Sequence, residues 1–365
     1  MLNVTAGKTV TITGTVDAAN RLFINIPANS KVIWKATLTA SRPAFAVTNN
    51  QLIFLAGSGD FEVTEGGTIS AEGDSIDSHN YIDAVYATGN ISVTISGGTV
   101  SADGGVGNGK AISATGNVTV SGGTVSAGDG GIAIHVGTGD VTVSGGTVSA
   151  SGKNSKAIHV DTGNVTISGS TISASGTGSM AILVFGIGDI TVSGGTVSAS
   201  GDNSIVIYGF DPAYNALVGN TEPGSIKIEN AVLIASGADS VMTGGGATVI
   251  KTSALEFING AGTVTGATTL TQDFTLPGDL TIPAGAKLTI APGVTLALGS
   301  NKLTNNGTIV KEGTIDGDVI GNQPLTSDEA PPDETPKRHN GGCGNVGFGA
   351  MTLLLAATLI LKKRG

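Results

Sequence analysis

Apolar and polar residues alternate in short runs along most of the chain, and the runs recur at a fixed distance. The run at 118–120 is followed by runs at 124–127 and 132–136, and glycine-containing turns separate the three. Alternation with a period of two residues, β-branched side chains and glycine-rich punctuation are typical of β-strands. The pattern therefore predicts three short strands in each repeat.

A Ser-Gly turn marks each repeat and shows that the repeat length is nearly constant. Successive markers lie at Ser96, Ser121, Ser144, Ser168 and Ser193. Repeats of this length are typical of stacked units that each need a neighbour to bury their apolar face. We predict an all-β fold, a single-stranded parallel β-helix with about 24 residues and three strands in each coil. The side chains expected to point inward are Val118, Val120, Val125, Ala127, Ile134 and Val136, with their equivalents one coil later.

We expect the β-helix to occupy residues 1–321, with its most regular coils at 90–205 and an insertion at 208–224. The chain begins within the strand pattern, without a charged leader followed by an apolar run, so we expect the N-terminus to be truncated. Residues 322–340 contain four prolines and no apolar period, and this composition predicts a disordered linker.

Composition narrows the class of protein. Glycine accounts for 58 of the 365 residues, but without a Gly-X-Y period, which excludes collagen. Only 13% of residues are charged and Val and Ile are abundant, a balance opposite to that of disordered chains. The net charge of −10 provides no basic face, so we predict no nucleic-acid partner.

The last segment, 341–365, differs from everything before it. An uncharged run at 346–361 precedes a basic end, and it predicts a short C-terminal transmembrane helix with the basic residues on the cytoplasmic side. The segment resembles the bacterial C-terminal sorting domains, most closely the Synerg type. The residues that carry this resemblance are Gly341, Gly342, Cys343, Gly344, Phe348, Gly349, Lys362, Lys363 and Arg364.

The resemblance to sorting domains implies export, retention in the membrane through residues 346–361, and processing or attachment near Cys343 by a sorting enzyme. An ordinary short transmembrane anchor is the alternative. Both interpretations place the β-helix outside the cytoplasm, at the cell envelope or cell surface.

The coils resemble right-handed β-helices of two kinds, the pectate-lyase-like enzymes and carbohydrate-binding proteins that hold acidic polysaccharide through calcium. Such enzymes use a basic residue beside a calcium–carboxylate cluster, or clustered aspartates. Residues 91–205 contain no Glu or Arg, and Asp140 and Asp189 share a turn position with Asn residues, which predicts a turn-stabilising role. Calcium prefers six to eight oxygen ligands, which the repeat does not supply. We therefore predict no catalytic residues, no cofactor and no metal ligands.

One outward column remains a candidate site. Aligning the third strand of each repeat stacks Tyr86, Ser113, His135, His159, Leu183 and Tyr208. Histidine is a common metal ligand, but two outward imidazoles without a carboxylate make a poor site, and we expect them to be solvated. Tyr86, His135, His159 and Tyr208 are instead a candidate face for stacking against sugars.

These patterns together predict an exported, envelope-associated β-helix with a structural or adhesive role at the surface. The alternative is a carbohydrate-binding module for extracellular polysaccharide. A degenerate polysaccharide lyase or hydrolase is a third possibility.

Overall fold

The computed structural model describes residues 1–17, 21–41, 51–72, 83–103, 109–209, 224–236, 241–243 and 248–326. All regular secondary structure in these ranges is β-structure, which confirms the predicted all-β class. Among the described residues no helix is long and apolar enough to cross a bilayer. Residues Met1–Asp328 form one compact unit.

Three parallel sheets build the first part of this unit, and each takes one strand from every coil. The first sheet contains β1 (Leu2–Asn3), β4 (Leu22–Ile26), β7 (Gln51–Gly57), β10 (Asp83–Ala87), β13 (Lys110–Ala114), β16 (Ile132–Thr138), β19 (Lys156–Thr162), β22 (Met180–Val184), β25 (Ile205–Gly209) and β28 (Val241–Thr243). The second sheet contains β2 (Thr9–Ile12), β5 (Lys31–Trp34), β8 (Asp60–Val63), β11 (Ser92–Ile95), β14 (Val118–Val120), β17 (Val141–Val143), β20 (Val165–Ile167), β23 (Ile190–Val192), β26 (Ser225–Ile228) and β29 (Thr248–Lys251).

The third sheet begins in the same coils and continues beyond them. It contains β3 (Thr15–Asp17), β6 (Thr37–Ser41), β9 (Thr68–Glu72), β12 (Thr99–Asp103), β15 (Thr124–Ala127), β18 (Thr147–Ala150), β21 (Thr171–Ser175), β24 (Thr196–Ser200), β27 (Ala231–Ala235), β30 (Ala254–Ile258), β31 (Ala261–Thr265), β34 (Asp279–Ile282), β37 (Leu303–Asn305) and β40 (Val319–Gly321). Two short sheets complete the later coils: β32 (Ala267–Leu270), β35 (Lys287–Ile290) and β38 (Thr308–Lys311) form the fourth, and β33 (Phe274–Thr275), β36 (Thr295–Ala297) and β39 (Thr314–Asp316) form the fifth.

Each early coil passes through the three sheets in turn. Strand β16 in the first sheet is followed by β17 in the second and β18 in the third, and β19 then begins the next coil. Every strand pairs in parallel with its counterpart one coil later, as Val118 does with Val141 and Thr124 with Thr147. Stacked parallel sheets of this kind are the arrangement of a parallel β-helix, and the pairing follows the predicted repeat.

The alternation of the sequence separates a buried face from an outward one. The six side chains predicted to point inward are all buried, as are their counterparts in the next coil. Neighbouring parallel strands lie about 4.8 Å apart, so equivalent aliphatic residues of successive coils stack directly on one another. The inward columns join into one continuous core that runs from Val4 to Ala254 and is aliphatic except for Trp34 and Phe61.

The repeated Ser-Gly-Gly turn has a steric cause. Gly146 adopts a φ of 74°, in the left-handed region that favours glycine. A Cβ atom at this position would lie only 2.5 Å from the carbonyl oxygen of Gly123, the equivalent residue one coil earlier. Most of the regular coils therefore have glycine here, both for the turn itself and for the close approach of the next backbone, and Ser170 in the Ser168-Gly169-Ser170 turn is the exception.

The direction of the chain reverses after β30, which the sequence analysis did not anticipate. Strands β30 and β31 pair antiparallel, with Ile258 opposite Ala261. The two residues between them, Asn259 and Gly260, have φ values of 51° and 79°. Positive φ at both central residues is the geometry of the type I′ hairpin turn, for which Asn-Gly is the preferred sequence.

The later coils (261–321) are called the second stack, and the earlier coils, through Ile258, the first stack. A second hydrophobic core fills the second stack, and Val232, Leu255 and Phe257 of the first stack also belong to it. Strands β34, β37 and β40 continue the third sheet in parallel, and the fourth and fifth sheets close the other sides. Leucine dominates the interior, for example at Leu280, Leu288 and Leu296, each with no exposed surface.

Several expectations fall outside the described residues. These are most of the predicted insertion (210–223), the part of the linker after residue 326, and the C-terminal segment with its predicted transmembrane helix. They stay predictions from the sequence.

Candidate functional site

The outward column of the first sheet has the register that the sequence predicted. Tyr86 pairs with Ser113, Ser113 with His135, and His135 with His159. The column then continues through Leu183 to Tyr208. The four candidate ligand-face residues thus lie on one line, although Ser113 and Leu183 interrupt the rings.

The column also extends toward the N-terminus, where sequence analysis missed two members. Phe54 pairs with Tyr86, and Phe23 pairs with Phe54. These positions are farther apart in sequence than those of the regular coils, so a search at the regular period passes over them. The signal available was the alternation itself, because each ring stands between two aliphatic residues, Leu22 and Ile24 for Phe23 and Ile53 and Leu55 for Phe54.

The aromatic rings of this column are stacked on each other. The Phe23 and Phe54 rings lie 5.0 Å apart at an interplanar angle of 12°, and the Phe54 and Tyr86 rings lie 5.5 Å apart at 39°. The guanidinium of Arg21 lies 5.2 Å from the Phe54 ring centre, and its Nη1 donates to Gln51 Oε1 at 3.0 Å. The nearly parallel Phe23 and Phe54 rings therefore cover each other's faces.

Farther along the column, two imidazoles and a carboxylate converge. Nε2 of His135 lies 3.4 Å from Oδ2 of Asp161, and Nε2 of His159 lies 3.3 Å from Oδ1 of the same carboxylate. The two imidazole centres are 5.0 Å apart. Each of the three side chains offers one potential metal-ligand atom, and these three atoms all lie within 4.8 Å of one another. We call these three residues the His-Asp cluster.

The expectation that the two histidines have no carboxylate beside them is wrong. Asp161 lies two residues after His159 in β19, so the two side chains emerge on the same face of the sheet. Gly137 stands opposite Asp161 in the preceding coil, because the flanking pairs are Val136 with Val160 and Thr138 with Thr162. With no side chain at Gly137, the carboxylate has room to lean across to His135.

The histidines are also less solvated than expected. The side chains of His135 and His159 are only 22% and 16% exposed, whereas Asp161 is 39% exposed. The Phe185 ring lies 6.2 Å from the His159 ring, and the column neighbour Leu183 is buried. Neither ring nitrogen of His159 has a hydrogen-bond partner among the described residues, since the contact to Asp161 lacks hydrogen-bond geometry.

Burial and neighbouring charge set the protonation of the cluster. Burial, with a smaller contribution from His135, lowers the pKa of His159 to about 4. The pKa of Asp161 is also lowered: its partial burial raises it, but the hydrogen bond and charge of His135 and the charge of His159 outweigh that effect. At neutral pH the His159 imidazole is therefore neutral and the Asp161 carboxylate is ionised.

Three further charged groups line this side of the first sheet. Asp83 is 2% exposed, and its Oδ1 accepts a hydrogen bond from the backbone N–H of Lys110 at 3.1 Å. Burial raises the pKa of Asp83 to about 6, against the opposing effect of the Lys110 charge. Burial also lowers the pKa of Lys156, which stands three residues before His159.

The aspartates at the shared turn position act between coils. Oδ1 of Asp140 accepts the backbone N–H of Asn164 at 2.8 Å, and Oδ1 of Asn164 accepts that of Asp189 at 2.8 Å. Oδ1 of Asp189 in turn accepts the backbone N–H of Ser225 at 2.8 Å. These side chains do bond to backbone groups, as predicted, but the bonds reach the next coil and so join successive coils.

The remaining candidate residues are those of the C-terminal segment. Gly341, Gly342, Cys343, Lys362, Lys363 and Arg364 lie outside the described residues. Their role in sorting and processing stays a prediction.

Comparison of this chain with protein-family models, with curated proteins and with solved structures finds no match.

Proposed function

We propose that the chain is an exported β-helix of the cell envelope with a structural or adhesive role at the surface. The observation that carries this proposal is the regular hydroxyl surface of the third sheet. Thr124, Thr147, Thr171 and Thr196 pair in register, and so do Ser126, Ser149, Ser173 and Ser198. This uncharged and repetitive hydroxyl face over a continuous hydrophobic core suits lateral contact with an extended polymer or with other surface proteins.

The surface location rests on the C-terminal segment. Its resemblance to bacterial sorting domains supports membrane retention through residues 346–361 and recognition by a sorting or processing enzyme near Cys343. The 16-residue apolar run spans about 24 Å as a helix, less than the roughly 30 Å hydrocarbon core, which suits temporary retention.

Mass spectrometry of the mature protein tests this part of the proposal. The protein should be expressed with an export signal in a host that has the sorting system. We expect a mature C-terminus, or a modification, at residues 341–343, and we expect Cys343→Ala to leave the tail unprocessed. An intact tail through Lys362, Lys363 and Arg364 would instead show an ordinary anchor.

Binding of extracellular polysaccharide is the second candidate function. The aromatic column favours it, because rings beside a polar surface are common in sugar sites. The stacking of Phe23 on Phe54 argues against it at that end, since sugar rings pack on open aromatic faces. Tyr86, which is tilted, and Tyr208 at the other end of the column are the better candidates.

A glycan array separates the structural and sugar-binding functions. Specific binding that is lost in Tyr86→Ala and retained in Thr147→Ala, a change on a different sheet, would favour the carbohydrate-binding function. Adhesion without any glycan signal would favour the structural one.

We propose that the chain is not an enzyme. Asp140 and Asp189 are engaged with backbone N–H groups of the next coil, so they are not free to act as an acid–base pair. Assays for reducing ends and for unsaturated products, with and without calcium, test this. Sustained turnover that is abolished by one aspartate substitution within 91–205 would overturn it.

A further inference from the structure

We propose that the His-Asp cluster is a binding site for one divalent first-row transition metal ion, of which zinc is the natural probe. The ligands would be His135, His159 and Asp161, with the fourth position open to solvent. This site goes beyond the proposed surface role and does not depend on it.

The distances carry the proposal. Zinc binds imidazole nitrogen and carboxylate oxygen at about 2.0–2.2 Å, which places neighbouring ligand atoms of a tetrahedral site about 3.4 Å apart. Nε2 of His135 lies 3.4 Å from Oδ2 of Asp161 and Nε2 of His159 lies 3.3 Å from Oδ1, so each imidazole stands at this spacing from one of the two carboxylate oxygens. All three candidate ligand atoms lie within 4.8 Å of one another, so small rotations of the side chains complete the site.

The kind of ligand selects the kind of ion. Two nitrogens and one carboxylate suit zinc, copper, nickel or iron, whereas calcium and magnesium prefer a shell made of oxygen. The coordinating form of histidine is the neutral imidazole. The unpartnered ring nitrogens of His159 therefore have the chemistry that a metal ligand requires.

The local surroundings support one bound ion and an open position. Phe185 and Leu183 shield the side of the cluster that faces the following coil, while Asp161 is the most exposed of the three ligands. The vacant position of a three-ligand site would thus point past the carboxylate toward solvent. Because His135 belongs to β16 and the other two ligands to β19, a bound ion would join two successive coils.

Zinc titration of the full-length, metal-free chain by calorimetry is the first test. We expect one ion per chain and a higher melting temperature with zinc. His159→Gln and Asp161→Asn should weaken binding by at least the roughly 10- to 100-fold that loss of an outer-shell partner alone causes. The control is His79→Ala, His339→Ala and Cys343→Ser combined, which removes the other histidines and the single cysteine and should bind zinc as the unaltered chain does.

Copper(II) electron paramagnetic resonance provides a readout that does not depend on stability. We expect hyperfine structure from two imidazole nitrogens, reduced to one nitrogen in His135→Gln. Circular dichroism of each variant checks that the coils still form, and the Asp161→Asn variant, which is almost isosteric, guards against loss of fold. Zinc binding that is absent from the folded chain, or unchanged in the three cluster variants, would overturn the proposal.

Discussion

The first and second stacks of coils both bury their inward side chains in a hydrophobic core, but they differ in the residues used and in chain direction. In the first stack, Val, Ile and Ala are the most common inward residues, and successive coils in the central region are nearly equal in length. In the second, Leu prevails and the coils shorten, since the paired residues Leu303 and Val319 are closer in sequence than the pair Leu280 and Leu303. Both stacks share the alternation of buried and outward residues, whereas coil length and chain direction differ between them.

The reversal between the stacks shows why direction escaped the sequence analysis. Alternation with period two is the same pattern when it is traversed in either sense, so it predicts strands without predicting how they pair. The Asn259-Gly260 turn did contain the information, because this dipeptide between alternating runs is the strongest short hairpin signal. It lay beyond the regular repeats, among many other glycine turns.

A charged residue in the core of the first stack should destabilise the first stack and leave the second largely unaffected. Val143→Asp places an unpaired carboxylate at a fully buried position, which costs several kcal/mol through desolvation. We expect a large drop in melting temperature and hydrogen exchange that spreads to the coils on both sides. Leu288→Asp should concentrate fast exchange in the second stack.

Thr142→Asp is the matched control for Val143→Asp, since Thr142 lies next to it on the outward face. This substitution should leave the melting temperature nearly unchanged. Equal damage from the two changes would contradict the inward assignment of β17.

The pH dependence of stability should originate mainly in the first stack. Asp83 has a pKa of about 6 in the folded chain and about 3.9 in an unfolded one. The folded state favours the protonated form of Asp83, so below about pH 4 this group does not lower the free energy of unfolding. As the pH rises from about 4 to about 6, the free energy of unfolding decreases. At neutral pH this decrease amounts to about 2–3 kcal/mol. Asp83→Asn keeps the oxygen that accepts the Lys110 N–H, and it should be more stable than the unaltered chain at pH 7.

Denaturation of both forms across pH 3.5–8, with a chelator present, measures this effect. Lys110 and His135 are the charged or titratable groups that act on Asp83. His159 contributes in the opposite sense, because its lowered pKa removes stability as the pH falls from about 6.5 toward 4. The difference between Asp83→Asn and the unaltered chain isolates Asp83. A difference that does not change with pH would show that Asp83 ionises normally.

A single added methyl group beside the hairpin should lower the stability of the second stack. A Cβ on Gly278 would overlap the carbonyl oxygen of Gly260, so Gly278→Ala forces the backbone of the turn to move. We expect a loss of about 1–3 kcal/mol, typical of overpacking. Gly285→Ala is the control: it has open space but a φ of 85°, and should cost about 1 kcal/mol. Hydrogen exchange in β31 and β34 distinguishes the two.

The sequence was a good guide to the core of the first stack and a poor one to its chemistry. The inward residues and the His135–His159 register follow from alternation and repeat length, which local sequence determines. Asp161 was visible but unassigned, because its reach to His135 depends on the empty position at Gly137 in the neighbouring coil. Contacts of this kind depend on which residues face each other across coils, and the consensus repeat does not show such exceptions.

The smallest expected effect concerns a hydrogen bond that occurs in both stacks, from a backbone N–H to an aspartate of the preceding coil. Oδ1 of Asp140 in the first stack accepts the backbone N–H of Asn164 at 2.8 Å, and Oδ1 of Asp279 in the second accepts that of Lys302 at 2.9 Å. Each bond joins successive coils at the surface, so Asp140→Ala and Asp279→Ala should each cost about 1 kcal/mol. Asn at either position keeps the accepting oxygen and should be nearly neutral. Chemical denaturation of the four variants tests this, and a loss in Asp→Asn as large as that in Asp→Ala would show that the charge, and not the hydrogen bond, stabilises the turn.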